Sequence, residues 1–153
     1  MKAVVQVVKS AAVAVDGTTV GKCSDGLFVL LGVGENDTKA ETELLARKVC
    51  NLRVLCDEDG KMNLSVLDKK ADVLVVSNFT LCADTAKGNR PSFINAARPE
   101  AAEPLYEYFI ECVKNNGAKK VANGQFGADM KIEARLDGPV TILLDTDTWS
   151  KHK

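Results

Sequence analysis

Apolar residues broken by Gln6 and Lys9 open the chain, and the alternation from Lys2 to Lys9 predicts a strand. Val13 to Asp16, a turn at Gly17, and Thr18 to Cys23 read as a hairpin. Leu27 to Val33 is a continuous apolar run of strand length, which predicts a strand buried on both faces. Thr38-Lys39-Ala40-Glu41 fits a capping box, in which hydroxyl and carboxylate each satisfy an orphan amide, so a helix begins near Thr38. Leu44, Leu45, Val49 and Leu52 form its apolar stripe. Asp57 to Gly60 is a turn, Asp72 to Ser77 a second buried strand, and Ala83 to Ser92 a polar loop. A second helix spans Pro99 to Asn116, with Gly117 as its C-cap and Pro104 in its first turn or at its true start. Met130 to Leu136 and Val140 to Leu144 read as strands joined at Asp137-Gly138-Pro139.

Many strands with two helices, and no strict βαβ alternation, predict an α/β fold. The expected architecture is one domain over residues 1–146: a mixed, mostly antiparallel sheet, curled or barrel-like, with two main helices outside. Residues 147–153 read as a flexible tail.

Composition narrows the classes. With 153 residues there is room for one real core, and 46% apolar residues with a net charge of −1 exclude a disordered chain. No apolar run approaches the roughly 20 residues of a membrane span, so the expectation is a soluble, cytoplasmic protein without a membrane partner. Near-neutral charge excludes binding nucleic acid through the whole surface; an RNA partner would be held by a local patch that touches few phosphates. Cys23, Cys50, Cys56, Cys82 and Cys112 are odd in number and form no C-x-x-C pair, so they read as small buried apolar residues, not as disulfides or a zinc site.

Histidine decides more. The only one is His152, next to the last residue. An imidazole base on a fixed scaffold is therefore not expected, which removes Ser-His-Asp and Cys-His mechanisms and His-rich metal sites. No P-loop and no G-x-G-x-x-G opening a helix is present. Chemistry is left to backbone amides, hydroxyls and a substrate's own groups, with no cofactor and no metal.

Two stretches are candidates. Ser77-Asn78-Phe79-Thr80-Leu81 places small polar side chains where a buried strand emerges. Amides freed there can face an oxyanion, each such donor being worth roughly 3–4 kcal/mol. The plainer alternative is hydroxyls that bond the neighbouring backbone. Asp137-Gly138-Pro139 reads on its own as a hairpin turn with proline opening the next strand.

These two stretches stand in order with Met1 to Gln6, Asn51-Leu52-Arg53-Val54, Asp59 to Asn63, Gly88 to Phe93 and Phe126-Gly127-Ala128-Asp129-Met130. Together they resemble the D-aminoacyl-tRNA deacylase family over about residues 1 to 145. The resemblance implies a homodimer in which each subunit's Gly138-Pro139, with a cis bond in the family, reaches into its partner's site. It implies hydrolysis of the ester between an amino acid and the terminal ribose of tRNA, with D-amino acids and glycine (glycyl-tRNA(Ala) included) accepted and L-amino acids rejected. Two carbonyls of the Gly-Pro unit would catch the substrate ammonium and occupy the space of an L side chain. By the same resemblance Ser77, Asn78, Phe79 and Thr80 form the catalytic set, Gly138 and Pro139 the chiral filter, and Phe126, Gly127, Ala128 and Met130 the pocket lining. Thr80 is expected to position water rather than attack, since nothing activates it. Lys87 and Arg90, with Lys119 or Lys120, are the expected phosphate contacts.

Three positions depart from the family's pattern: Asn78 stands for the usual Gln, Val7 for Arg and Leu136 for Asn. The apolar pair removes donors that support the Gly-Pro loop. The alternative function is therefore a weakened member that holds aminoacyl-tRNA or another nucleic acid without efficient hydrolysis.

Overall fold

The computed structural model describes residues 1–149. One long strand organises it. β1 (Lys2–Val15) pairs antiparallel with β2 (Thr18–Cys23) through Ala11 to Val15 and with β3 (Gly26–Gly32) through Lys2 to Val8. Its other edge carries β8 (Lys131–Asp145), from Lys2 opposite Asp145 to Ala14 opposite Lys131. The β1–β2 turn places Asp16 and Gly17 at φ 50° and 79°, the left-handed pair that a tight hairpin requires.

β3 pairs parallel with β6 (Asp72–Ser77), and β6 parallel with β7 (Val121–Asn123). The crossover from β3 to β6 runs through α1 (Lys39–Asn51), the small β4 (Leu55–Cys56) and β5 (Met62–Leu64) hairpin, and α2 (Val66–Lys69). The order is β2-β1-β3-β6-β7, with β8 on β1. This sheet curls until its ends approach. A Cβ at Gly21 of β2 would sit 2.3 Å from the Asn123 carbonyl oxygen of β7, so only glycine allows the closure.

The curl makes two apolar layers. Val5, Leu27, Val29, Val73 and Val75 face outward onto α1 and α3 (Pro99–Asn115), meeting Leu45, Val49, Phe109 and Val113. Val8, Ala11, Val13, Phe28, Leu74 and Val76 fill the inside. β3 and β6 are therefore buried on both faces, as their unbroken apolar runs predict. At α1 the capping box forms: the Thr38 hydroxyl accepts from Ala40 N at 3.2 Å, and the Glu41 carboxylate accepts from Thr38 N at 2.8 Å.

Several expectations change. Residues 2–15 form one strand rather than a strand and the arm of a hairpin. The α1 stripe centres on Leu45 and Val49 with Ala46 and Cys50, while Leu44 and Leu52 are half-buried flanks. Pro104 lies in the second turn of α3, which starts at Pro99; exposed there, it lacks one N–H toward the preceding turn. Cys56, on the exposed β4, is not buried, whereas the other four cysteines are. The expected tail begins as a helical turn, α4 (Thr146–Trp149), with Trp149 against the core and Lys48 Nζ 5.5 Å from its ring centre; residues 150–153 lie outside the described residues. Asp137-Gly138-Pro139 is no hairpin. The strands on either side of it both pair with β1, so it is a bulge within one strand. Among the described residues no helix is long and apolar enough to cross a membrane.

Phe109 is fully buried between α3 and the sheet. Phe109→Ala is expected to lower stability by about 3–5 kcal/mol, read from urea unfolding midpoints.

Candidate active site

Both neighbours of β6 shape its exit. Asn78 N still donates to Leu31 O of β3 at 2.8 Å, and the chain then turns into a 3₁₀ turn, Phe79–Cys82. Asn78 caps that turn: its Oδ1 accepts from Thr80 N at 3.2 Å and also from the Thr80 hydroxyl. Closing this small ring needs the short Asx side chain; a glutamine is one methylene too long for it. The departure at Asn78 thus has a local structural reason.

The cap also sorts the donors. Thr80's amide is engaged, and its hydroxyl proton is given to a carboxamide oxygen, which is no base. Phe79 is the first residue of the turn and has no intrahelical acceptor for its N–H. Among the described residues that amide meets no protein partner. Of the amides freed where the strand emerges, the one at Phe79 is open and the one at Thr80 is used.

Beside this turn lies a cavity of about 580 Å³. Ser77, Asn78 and Phe79 line one side, and Phe126, Gly127, Ala128 and Met130, between β7 and β8, line another. α3 supplies Ala102 and Tyr106, and the loop before it supplies Phe93, Ala96, Ala97 and Arg98. The rings are ordered against each other: Phe79 and Phe93 meet edge-to-face at 5.0 Å, and Tyr106 and Phe126 are tilted by 47° at 5.7 Å. The Tyr106 hydroxyl donates to Val75 O at 3.1 Å, and burial pushes its pKa up to about 12. It is therefore a neutral, occupied donor near neutral pH and cannot serve as a base.

Among the described residues the lining contains no carboxylate, lysine, cysteine or histidine, and its one charge is Arg98. A base-free pocket with one cation suits a substrate that brings a phosphate, an aromatic ring and its own hydroxyl. A second cavity, about 470 Å³, is lined by Glu35, Asp37, Glu41, Asp84 and Asp147 with Lys2 and the Met1 amino group, so carboxylates outnumber cations and phosphate is disfavoured.

Gly138 and Pro139 do not line the 580 Å³ cavity of their own chain. Gln6 faces Thr141 and Val8 faces Leu136, so the four residues Asp137 to Val140 oppose Val7 alone. Gly138 takes φ 130°, where a Cβ would meet Val140 N at 2.7 Å, and the Gly138–Pro139 bond is cis. Val7 pairs with Leu27, which pairs with Val73, whereas the cavity opens by Ser77, four residues further along β6. With about 3.3 Å per residue and about 4.8 Å between strands, bulge and cavity are roughly 20 Å apart in one chain.

Among the remaining sequence candidates, Thr80 adjoins the cavity without lining it. Lys87 and Arg90 are exposed on the loop that leads to Phe93 and Arg98. Lys120 is at the wrong end of β6: its Nζ lies 3.4 Å from Asp72 and its carbonyl accepts from Val73 N. That end is roughly 16 Å from Ser77. Sequence reasoning missed Arg98, Phe93, Ala96, Ala97, Ala102 and Tyr106. Of these, Tyr106 alone left a signal, a polar tip at i+4 from Ala102 on a buried helix face.

A family model described as D-Tyr-tRNA(Tyr) deacylase matches residues 4–145. A D-aminoacyl-tRNA deacylase of Dehalococcoides mccartyi is 56% identical over 146 residues, which cover 95% of this chain and 95% of that protein. One of Thermosipho melanesiensis is 53% identical over 146 residues, covering 95% and 97%. Among solved structures, the c-Myc DNA unwinding element binding protein is 44% identical at a TM-score of 0.90, covering 95% of this chain and 98% of that one. A probable eukaryotic D-amino acid tRNA deacylase shares the fold at a TM-score of 0.80 and 15% identity, covering 94% and 98%. On sequence and fold together, the chain belongs to the D-Tyr-tRNA(Tyr) deacylase family.

Proposed function

We propose that this protein hydrolyses the ester joining a D-amino acid to the terminal ribose of tRNA, releasing free amino acid and tRNA. The observation that carries the reading is one cavity in which both family motifs meet, Ser77 to Phe79 with Phe126 to Met130, and in which no side chain can act as a base. Water adds to the ester carbonyl, the bond to the ribose oxygen breaks, and that oxygen leaves with a proton from the water. The Phe79 amide is the donor for the oxyanion. The proton is relayed through the substrate's neighbouring ribose hydroxyl, because among the described residues the cavity lining offers no general base. Thr80, its proton held by Asn78, presents lone pairs that orient water.

Chiral selection comes from a second copy of the chain. Within one chain Gly138 and Pro139 lie too far from the cavity to act there, which supports a homodimer. β8 supports it too: its outer edge is unpaired over a long stretch, and Ile132, Leu136 and Leu143 are exposed along it, Leu143 at 77%. In the dimer the partner's Gly138 and Pro139 carbonyls face the substrate ammonium and fill the space of an L side chain. Glycine has no side chain to exclude, so glycyl-tRNA(Ala) passes the same filter. The site of action is the cytoplasm, where aminoacyl-tRNA is used.

The purified protein is expected to sediment as a dimer and to deacylate D-tyrosyl-tRNA far faster than L-tyrosyl-tRNA. Equal loss of both esters, or loss of neither, overturns the reading. Tight, salt-dependent tRNA binding with no ester loss would instead establish the alternative, a member that holds nucleic acid without turnover. That alternative draws on Val7 and Leu136 alone, since Asn78 is accounted for by its cap.

Thr80→Val is expected to slow D-ester hydrolysis by about tenfold, the scale of one lost hydrogen bond. A nucleophile would lose roughly 10⁴-fold or more in single-turnover rate. Arg98 is the phosphate contact nearest the ester, with Lys87 and Arg90 further out. Arg98→Ala is expected to raise KM for D-tyrosyl-tRNA by roughly three- to tenfold, and to leave hydrolysis of D-tyrosyl-adenosine, which lacks the phosphate, unchanged.

A further inference from the structure

The Gly138–Pro139 bulge has apolar flanks. Val7 opposite it and Leu136 before it have no side-chain donor to tie it down. β1 carries a second irregularity close by. Val8 pairs with Leu136 and Ser10 with Arg135, so Lys9 has no cross-strand partner. Its Nζ lies 3.5 Å from Asp137 Oδ2, the first residue of the bulge, and 3.2 Å from Asp25 Oδ1. The two carboxylates hold the lysine above its ordinary pKa, the Asp25 hydrogen bond first, so it stays charged.

Asp25 is a fixed point. It sits on the turn between β2 and β3, where Ser24 N donates to Asp72 Oδ2 at 2.8 Å and Asp72 N donates to Asp25 O at 3.0 Å. Asp72 is buried at the start of β6. Asp137, by contrast, belongs to a stretch whose four residues share a single residue opposite.

We propose that Lys9 is a positioning residue for the chiral filter, clamping Asp137 at the base of the Gly138–Pro139 bulge to the fixed Asp25 turn. This rests on the reading that Gly138 and Pro139 select against L-amino acids. Each ion pair is exposed and weak alone. The clamp matters because one lysine bridges two carboxylates, one on rigid backbone and one on a segment whose other side-chain anchor is the half-buried Val140 at its far end. Its effect falls on selectivity. A looser filter excludes the L side chain less well, while the Phe79 amide and the cavity walls that hold the D-ester take no part in the clamp.

The test measures D- and L-tyrosyl-tRNA hydrolysis, and in parallel hydrogen exchange over residues 136–142, for the wild type, Lys9→Met, Asp137→Asn and Lys9→Arg. Lys9→Met and Asp137→Asn are each expected to lower the D-over-L ratio of kcat/KM by roughly three- to tenfold, with the D-ester rate kept within about twofold. Exchange over 136–142 should quicken in both, and Lys9→Arg should restore both readouts. An unchanged ratio in Lys9→Met and Asp137→Asn overturns the proposal, as does unchanged exchange. A wild type that does not discriminate, with exchange still quickened in the two variants, would strike the filter reading and keep the clamp as a physical contact.

Discussion

The antiparallel ladder between β1 and β8 is the interaction on which the rest of the molecule depends. It runs from Lys2 opposite Asp145 to Ala14 opposite Lys131, and it closes the chain's two ends on each other. β1 can serve β3 with its first half and β2 with its second only because β8 holds its other edge along the whole length. The ladder is broken at two adjacent points of β1, Gln6/Val8 and Val8/Ser10, and the larger break is the Gly-Pro bulge. Where β8 holds four residues against one, the excess must leave the plane of the sheet, and what leaves it is Asp137-Gly138-Pro139-Val140. The other edge of β8 stays unpaired, with apolar side chains exposed, so the strand that displays the Gly-Pro unit is also the one that needs a partner.

Chemistry at the cavity is governed by what the chain withholds. A parallel strand buried on both faces must end somewhere, and β6 ends by presenting a capped turn: one amide used, one open, one hydroxyl whose proton is engaged. Surrounded by Phe, Ala and Met side chains and one arginine, this turn can orient an ester and stabilise charge that develops on it, but it cannot take a proton. An enzyme of this kind acts by position and field, and its selectivity then has to come from exclusion. On the proposed reading the burden falls on the rigidity of the bulge, beside which Lys9 bridges Asp137 and Asp25.

Local rules carried a large part of this. The capping box at Thr38, the doubly buried β3 and β6, the Gly17 turn and the second helix are all decided within a few residues, where hydroxyl reach, side-chain period and allowed φ act directly. Resemblance placed Ser77 to Thr80 and Phe126 to Met130 in one site, and they do meet around one cavity, with Thr80 at its edge. Lys120 lies at the far end of β6 from Ser77, and charge along a sequence says nothing of which end of a strand it reaches.

By itself, then, the sequence determined most of the elements, the fold class and the family, since each rests on contacts between near neighbours or on motifs in order. Only the tertiary structure decided that both halves of β8 pair with β1, that the Gly138–Pro139 bulge lies far from its own chain's cavity, that Arg98 and Tyr106 line that cavity, and that Lys9 reaches Asp137. These are pairings between residues tens of positions apart. Their energy comes from register and burial summed over a whole sheet, and no short stretch of sequence contains that sum.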